Sequence, residues 1–278
     1  MVADAGRLAI GNQTAFFAPV LEPFRFAVQH DFNAFEFFPD RGPLGRGWSA
    51  DDVSMVERAF VRATAQSRHI RLSVHAALDA GPFDGPACIK LLRDIDLARD
   101  IGARVVNAHI VADDVESFCR TTLSLADRLA VDGLTLALEN TISVGPQKVN
   151  QVFTRLQTLD AKRAQSVGLC LDIGHANLHH ATHNDYLGYV DALETHVPIV
   201  HAHLHENWGD GDKHLTLFTG PASRDSSGIA GLLERLARRR YAGSLILEQW
   251  PKPPALLVTA RDRLQALHVP DRREDHPG

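Results

Sequence analysis

The sequence predicts a single-domain α/β protein folded as a closed (β/α)8 TIM barrel, on three observations. Short β-rich apolar runs recur at intervals of about thirty residues, eight in all. Longer segments with helical periodicity fill most of the intervals between them. The composition keeps one regime throughout: 278 residues, 45% hydrophobic and 23% charged, with no linker or low-complexity tract. Strands alternating with helices imply a parallel sheet, because parallel neighbours need a crossover, and eight such units close most economically into a ring. A doubly wound open sheet is the alternative, but no GxGxxG follows the first run, so its nucleotide signature is missing.

The expected strands are Leu8 to Gln13, Ala34 to Phe38, Ile70 to His75, Arg104 to His109, Leu134 to Glu139, Ser166 to Asp172, Ile199 to His205 and Ser244 to Gln249. Between them, Ser49 precedes a helical run from Ala50 to Ser67. Asp84 to Ile101 is closed by Gly102, and Asp114 to Val131 by Gly133. Gln147 to Leu159, Asp185 to His196, Ser226 to Arg239 and Pro254 to Leu267 complete the set. Glycine accepts the left-handed turn that ends a helix, and Ser or Asp satisfies the first free amides. One barrel domain is expected over residues 1–269, followed by a polar, frayed tail from Pro270 to Gly278.

Lys+Arg 29 against Asp+Glu 34 leaves a net charge of -5, without the basic footprint of a nucleic-acid binder. Cys88, Cys119 and Cys170 are odd in number and form no CxxC pair, which fits a reducing compartment and disfavours a thiolate metal site. No basic leader precedes an apolar stretch at Met1 to Ile10, and no apolar run of about 18 residues occurs, so a soluble cytoplasmic protein is expected. The unusual count is His 15, three times that of lysine.

Polar residues collect where the expected strands end. Strand 3 ends in Ser73-Val74-His75, strand 4 in Asn107-Ala108-His109, strand 5 in Glu139-Asn140, strand 6 in Asp172, strand 7 in His201-Ala202-His203-Leu204-His205 and strand 8 in Glu248. Period two puts these groups on one face, and in a (β/α)8 barrel the reactive groups sit at the C-terminal strand ends. Three carboxylates converging on one buried mouth repel one another and lose hydration, and a divalent cation removes that cost. The oxygen and nitrogen donors suit Mn²⁺, Zn²⁺, Co²⁺ or Mg²⁺. Two loops return more ligands: His175 after Asp172, and Asp212 with His214 after strand 7. His201 is expected deeper as a core group and His205 near the rim, while His179, His180 and His183 read as a solvated loop.

The segments Leu72-Ser-Val-His-Ala76, Leu136-Ala-Leu-Glu-Asn-Thr141, Gly168-Leu-Cys-Leu-Asp-Ile-Gly-His-Ala-Asn177, His201-Ala-His-Leu-His-Glu-Asn207, Asp212-Lys-His-Leu215 and Leu245-Ile-Leu-Glu248 together resemble the xylose isomerase-like barrel superfamily. That group includes sugar isomerases and epimerases and the endonuclease IV type of apurinic-site nuclease. The resemblance implies Glu139, Asp172, His203 and Glu248 as ligands of one catalytic cation. For a trinuclear centre like that of the nucleases it adds His75, His109, His175, Asp212 and His214. It departs from the nuclease branch in the small, acidic loop Ala76 to Gly85, with Arg41, Arg46 and Trp48 the only cluster placed to touch phosphates. The segment Phe218-Thr-Gly-Pro-Ala222 also replaces a Gly-Glu-Gly found in relatives.

The resemblance therefore implies a metal-dependent isomerase or epimerase acting on a small sugar-like hydroxy-carbonyl compound through an enediolate, with one ion and up to three. Glu139 and Glu248 would exchange the proton and His175 would assist, with Phe16, Phe17, Trp208 and Trp250 walling the site. A zinc phosphodiesterase and a non-catalytic metal-binding barrel are the alternatives. Homo-oligomers are common among such relatives, but no interface is legible in the residues.

Overall fold

Alternation of apolar and polar residues along each strand fixes which side faces the helices, and here it also fixes what fills the ring. A computed structural model describes residues 7–268 except 43, 84 and 112. Its strands are β1 (Ala9–Gln13), β2 (Ala34–Phe37), β3 (Arg71–His75), β4 (Val105–His109), β5 (Thr135–Glu139), β6 (Val167–Asp172), β7 (Ile199–Leu204) and β8 (Ser244–Leu247). All pair in parallel in sequential order, and β1 pairs with both β2 and β8, closing the barrel. The register shifts between Leu169 and Cys170, where β6 runs against β7.

Residues such as Leu72, Val74, Leu136, Leu138, Leu169, Leu171, Leu245 and Leu247 join the large apolar core. The other face of the strands points into the ring. Ala9, Ala34 and Ile246 form a small apolar cluster of their own there. Above them the interior is polar, with Glu36, Ser73, His75, Asn107, Glu139, Asp172, His201 and His203 all buried. Most barrels of this type fill the same space with branched aliphatic side chains.

Among the described residues, ten helices surround the ring: α1 (Glu22–Gln29), α2 (Met55–Arg68), α3 (Pro86–Ile101), α4 (Val115–Ser124), α5 (Ala126–Asp132), α6 (Pro146–Asp160), α7 (Ile173–Leu178), α8 (Tyr186–Asp191), α9 (Ser227–Arg238) and α10 (Ala255–Leu267). The expected run from Ala50 divides: a 3-10 turn at Ala50–Asp52 precedes α2, whose cap is Ser54. Ser54 Oγ accepts from Glu57 N while the Glu57 carboxylate accepts from Ser54 N, so this reciprocal pair sets the start. The expected Asp114 to Val131 helix breaks at Leu125 into α4 and α5, and the run from Asp185 stops at Asp191. The start at Asp84 and the tail from Pro270 lie outside the described residues. No helix among the described residues is long and apolar enough to cross a membrane.

Candidate metal centre

Every strand-end ligand predicted from the sequence reaches one mouth. Glu139, at the end of β5, sits at the centre of an inner group: His75 Nε2 stands 3.3 Å from its Oε2 and His109 Nε2 3.4 Å from its Oε1. Asn107 donates to the same carboxylate. In the middle group, His203 Nδ1 faces three carboxylates from three strands, 3.1 Å from Glu139, 3.6 Å from Glu248 and 3.9 Å from Asp172. An outer group joins His175, His205, Asp212 and His214, whose ligand atoms lie within 4.8 Å of one another.

Local structure places the outer group. Asp172 caps α7 by accepting from His175 N at 2.6 Å, which turns His175 back over the strand ends. The loop after β7 folds back through an antiparallel bridge between Glu206 and Leu215, and His214, in the left-handed region at φ 44, follows Asp212 toward the mouth. His205 is a correction: it is 1% exposed, not at the rim. Its ring stacks on His214 at 3.9 Å and its Nε2 hydrogen-bonds Asp172 Oδ2 at 3.1 Å. His201 is deep, as expected. His179 is buried rather than solvated, its Nδ1 accepting from Ala181 N.

Glu36 on β2 was not foreseen as part of this assembly. Fully buried, its carboxylate accepts from Ser73 Oγ at 2.8 Å, pairs with His201 Nε2 at 2.8 Å and lies 2.8 Å from His203 Nε2. It therefore backs His203 on the side away from the three carboxylates. The sequence signal was present: Glu36 is the one charged residue in a strand otherwise apolar.

Do these residues fit a metal? The imidazoles answer through their tautomers. A carbonyl only accepts, so Nδ1 of His75, His175 and His214 must carry hydrogen toward Ala76 O, Asn140 O and Glu248 O, at 2.7, 3.0 and 3.2 Å. The Nε2 atoms then meet carboxylate oxygens at 3.3 Å for His75, 3.4 Å for His175 and 3.3 Å for His214. Two donors each about 2.0–2.2 Å from a tetrahedral Zn²⁺ stand about 3.4 Å apart, so the spacing is that of ligands sharing an ion. A proton or a cation must lie between each facing pair, and backbone carbonyls orient the rings as they do in metal sites. Buried Glu139 Oε1, Glu248 Oε2 and His203 Nδ1 also lack hydrogen-bond partners.

The electrostatics agree. Burial pushes Glu248 up, and its neighbouring imidazoles only partly offset that. Burial also works on Glu139, but His203 and His109 outweigh it and hold the carboxyl well below its ordinary range. For His214, burial opposes the protonated ring, while the hydrogen bond to Asp212 and the charges of Glu248 and Asp212 raise it to about 9.

Above the ligands opens a cavity of about 560 Å³, onto which His75, His109, His175, His214 and Glu248 face. Phe16, Phe17, Phe38 and Trp250 wall it. Trp208 does not: it lines a separate cavity beside α9 and lies under Arg224. Nor do Arg41, Arg46 and Trp48 form a phosphate-touching cluster. Trp48 is buried against Phe37, and Arg41 pairs with Asp52 at 2.7 Å.

The profile of the xylose isomerase-like TIM barrel family matches residues 24–267. The chain belongs to the xylose isomerase-like TIM barrels. Among solved members of this fold, a D-tagatose 3-epimerase-like protein superposes with a TM-score of 0.68 at 19% identity, over 94% of this chain and 97% of that one. The TTHB071 protein from Thermus thermophilus, in a structure soaked with ZnCl2, gives 0.66 at 18% identity, over 94% and 98%. At these identities the likeness is one of fold. The uncharacterized protein MJ1311 of Methanocaldococcus jannaschii is 28% identical over 136 residues, 46% of this chain. The match spans about two fifths of that relative, 41% of its length.

Proposed function

We propose that this xylose isomerase-like barrel is a divalent-metal-dependent isomerase or epimerase of a small sugar-like hydroxy-carbonyl compound. One observation carries the reading: Glu139, Asp172 and Glu248, all buried, meet at His203 Nδ1 beneath a largely apolar cavity of about 560 Å³, ample for a small sugar. These four residues are the proposed ligands of the principal cation, Mn²⁺, Zn²⁺, Co²⁺ or Mg²⁺. When bound, that cation supplies Lewis acidity to a carbonyl and its neighbouring hydroxyl, favouring loss of the adjacent C–H proton.

The chain's own groups handle that proton. Glu248 opens on the cavity, where burial pushes its carboxyl up and favours the group as one that takes and returns a proton. Glu139, three strands round the ring on β5, lies below the cavity floor, and His175 Nδ1 sits 3.3 Å from its Oε1. Glu139 is the proposed second proton carrier, with His175 passing the proton and holding a substrate oxygen. Phe16, Phe38 and Trp250 keep bulk water away from the carbanionic carbon. Family membership and the sugar-epimerase name of one structural neighbour support the same reading.

A second reading has its own support. His75 and His109 flank Glu139 on one side, and His175, Asp212 and His214 group on the other. Together with the central four that is more donors than one ion accepts, so occupancy by two or three ions and hydrolysis of a phosphodiester also suit the ligand set. The mouth, walled by aromatic rings with no Lys or Arg lining it among the described residues, favours the small substrate over a polyanion.

Elemental analysis of protein reconstituted with Mn²⁺ or Zn²⁺ counts the ions, and Glu139→Gln and Glu248→Gln are expected to lose metal or turnover. Solvent deuterium should enter a sugar next to its carbonyl. A sugar panel without exchange, alongside cleavage of an abasic duplex, would replace the first reading with the second.

A further inference from the structure

A larger cavity lies at the other pole, where the strands begin. It measures about 800 Å³ and is bordered by Arg62 of α2, Arg71 and Arg104 at the starts of β3 and β4, and Arg240 in the turn before β8. His69 joins them at the rim, and no Asp or Glu lines the cavity among the described residues. Nor does any of the four guanidiniums stand within 4 Å of a carboxylate there, although ten other arginines in the described chain do, in a protein of net charge -5.

All four arginines are exposed, and one of them is tied to the backbone. Arg71 donates to Ala242 O at 2.7 Å, tying the start of β3 to the loop before β8. The Arg62 side chain lies over Gly102, and Arg104 Nη1 lies so close to Gly133 that a Cβ there would stand 2.9 Å from it. His201 closes the inner wall, 1% exposed, with Nε2 donating to Glu36. Four guanidiniums around one hollow with no carboxylate among its described lining residues make a receptor without its counter-charge.

We infer that this cavity at the base of the barrel binds a small anion carrying two or more phosphate groups. The guanidinium fork matches phosphate oxygens two at a time. Charge matching favours an oligophosphate over a monoanion, since four guanidiniums call for a ligand of about three to four negative charges, and the volume exceeds what one orthophosphate fills. This inference is independent of the chemistry assigned to the opposite mouth.

The test is calorimetric titration of the full-length protein with tripolyphosphate at low salt, with orthophosphate and citrate as comparators at equal ionic strength. Saturable binding of tripolyphosphate, at least tenfold tighter than either comparator, is expected. It should weaken about tenfold in each of Arg62→Ala and Arg104→Ala, which lose a charge-assisted contact. It should persist in Arg25→Ala and Arg46→Ala, exposed arginines elsewhere, and in Asp212→Asn at the mouth, which separates the base from the metal centre. Circular dichroism verifies that each variant is folded. No saturation, equal binding of citrate, or binding lost with Asp212→Asn and kept in the arginine variants would overturn the inference.

Discussion

A single buried carboxylate, Glu36, decides how His203 presents itself. It lies 2.8 Å from His203 Nε2 on one side of the ring while Nδ1 faces the carboxylates of Glu139, Glu248 and Asp172 on the other. Removing such an orienting partner typically costs about 10–100-fold in metal affinity. Glu36→Gln is therefore expected to weaken Mn²⁺ or Zn²⁺ binding by about that factor in a chelator-competition titration, without touching substrate. The outer imidazoles make uptake pH-dependent. Burial opposes the His214 proton, but Asp212 and Glu248 hold it and raise the ring to about 9, so at pH 7 an ion binding there would displace that proton. Apparent affinity should rise with pH up to about 9, and calorimetry in buffers of different ionisation enthalpy should record proton release.

Asp94 offers a second pH effect, on stability. Burial, partly offset by the hydrogen bond from Ala77 N, raises it to about 7, above its unfolded value of 3.8. A folded pKa above the unfolded one means the folded state holds the proton more tightly. Stability from this residue is thus full below pH 3.8 and falls as pH rises toward 7. Asp94→Asn should flatten that slope in denaturant titrations and stabilise the metal-free protein at about pH 8, on the order of a few kcal/mol. At this scale the sequence was legible wherever a polar residue ended a strand, as at Glu139, Asp172, His203 and Glu248. His205 was misplaced because its burial depends on stacking against His214 from a distant loop, and Trp208 because its direction depends on a turn whose course the local pattern does not fix.

At the level of elements, the short helix α7 matters most for its size. Gly174 within it leaves room for the His205 ring: a Cβ there would lie 2.0 Å from His205 Cε1. Gly174→Ala should push His205 aside and, through its stack on His214, loosen the outer metal group. Loss of one equivalent of bound metal with secondary structure preserved is the expected outcome, and unchanged metal content with unchanged melting would refute it. Helix α7 escaped sequence reading because its six residues overlap the ligand motif and give no period to measure. Helix α1 escaped for another reason: its cap, Leu21, makes no side-chain cap bond, and its eight residues leave only Glu22 and Pro23 in the first turn to mark the start. The strands were recovered to within one or two residues because each is a short β-rich apolar run set apart from its neighbours by helical or turn-forming sequence.

For the whole molecule, the polar filling of the ring sets the terms of stability. Glu36, Glu139 and Asp172 are fully buried and close together, with the imidazoles of His201, His203 and His205 beside them. Any ion that binds the folded chain and not the unfolded one stabilises it by mass action, about 4 kcal/mol at a thousandfold excess over Kd. Chelation should lower the melting temperature by several degrees and quicken proteolysis, with both restored by Mn²⁺ or Zn²⁺. A melting curve indifferent to EDTA would show that the ring closes without an ion.

Most barrels seal their centre with hydrocarbon once and for good; on the metal-dependent reading proposed above, this one would be closer to a lock that a cation turns. In an organism short of transition metal, copies left empty would be the first degraded. Supply of the ion would then govern how many molecules survive as well as how fast each one works.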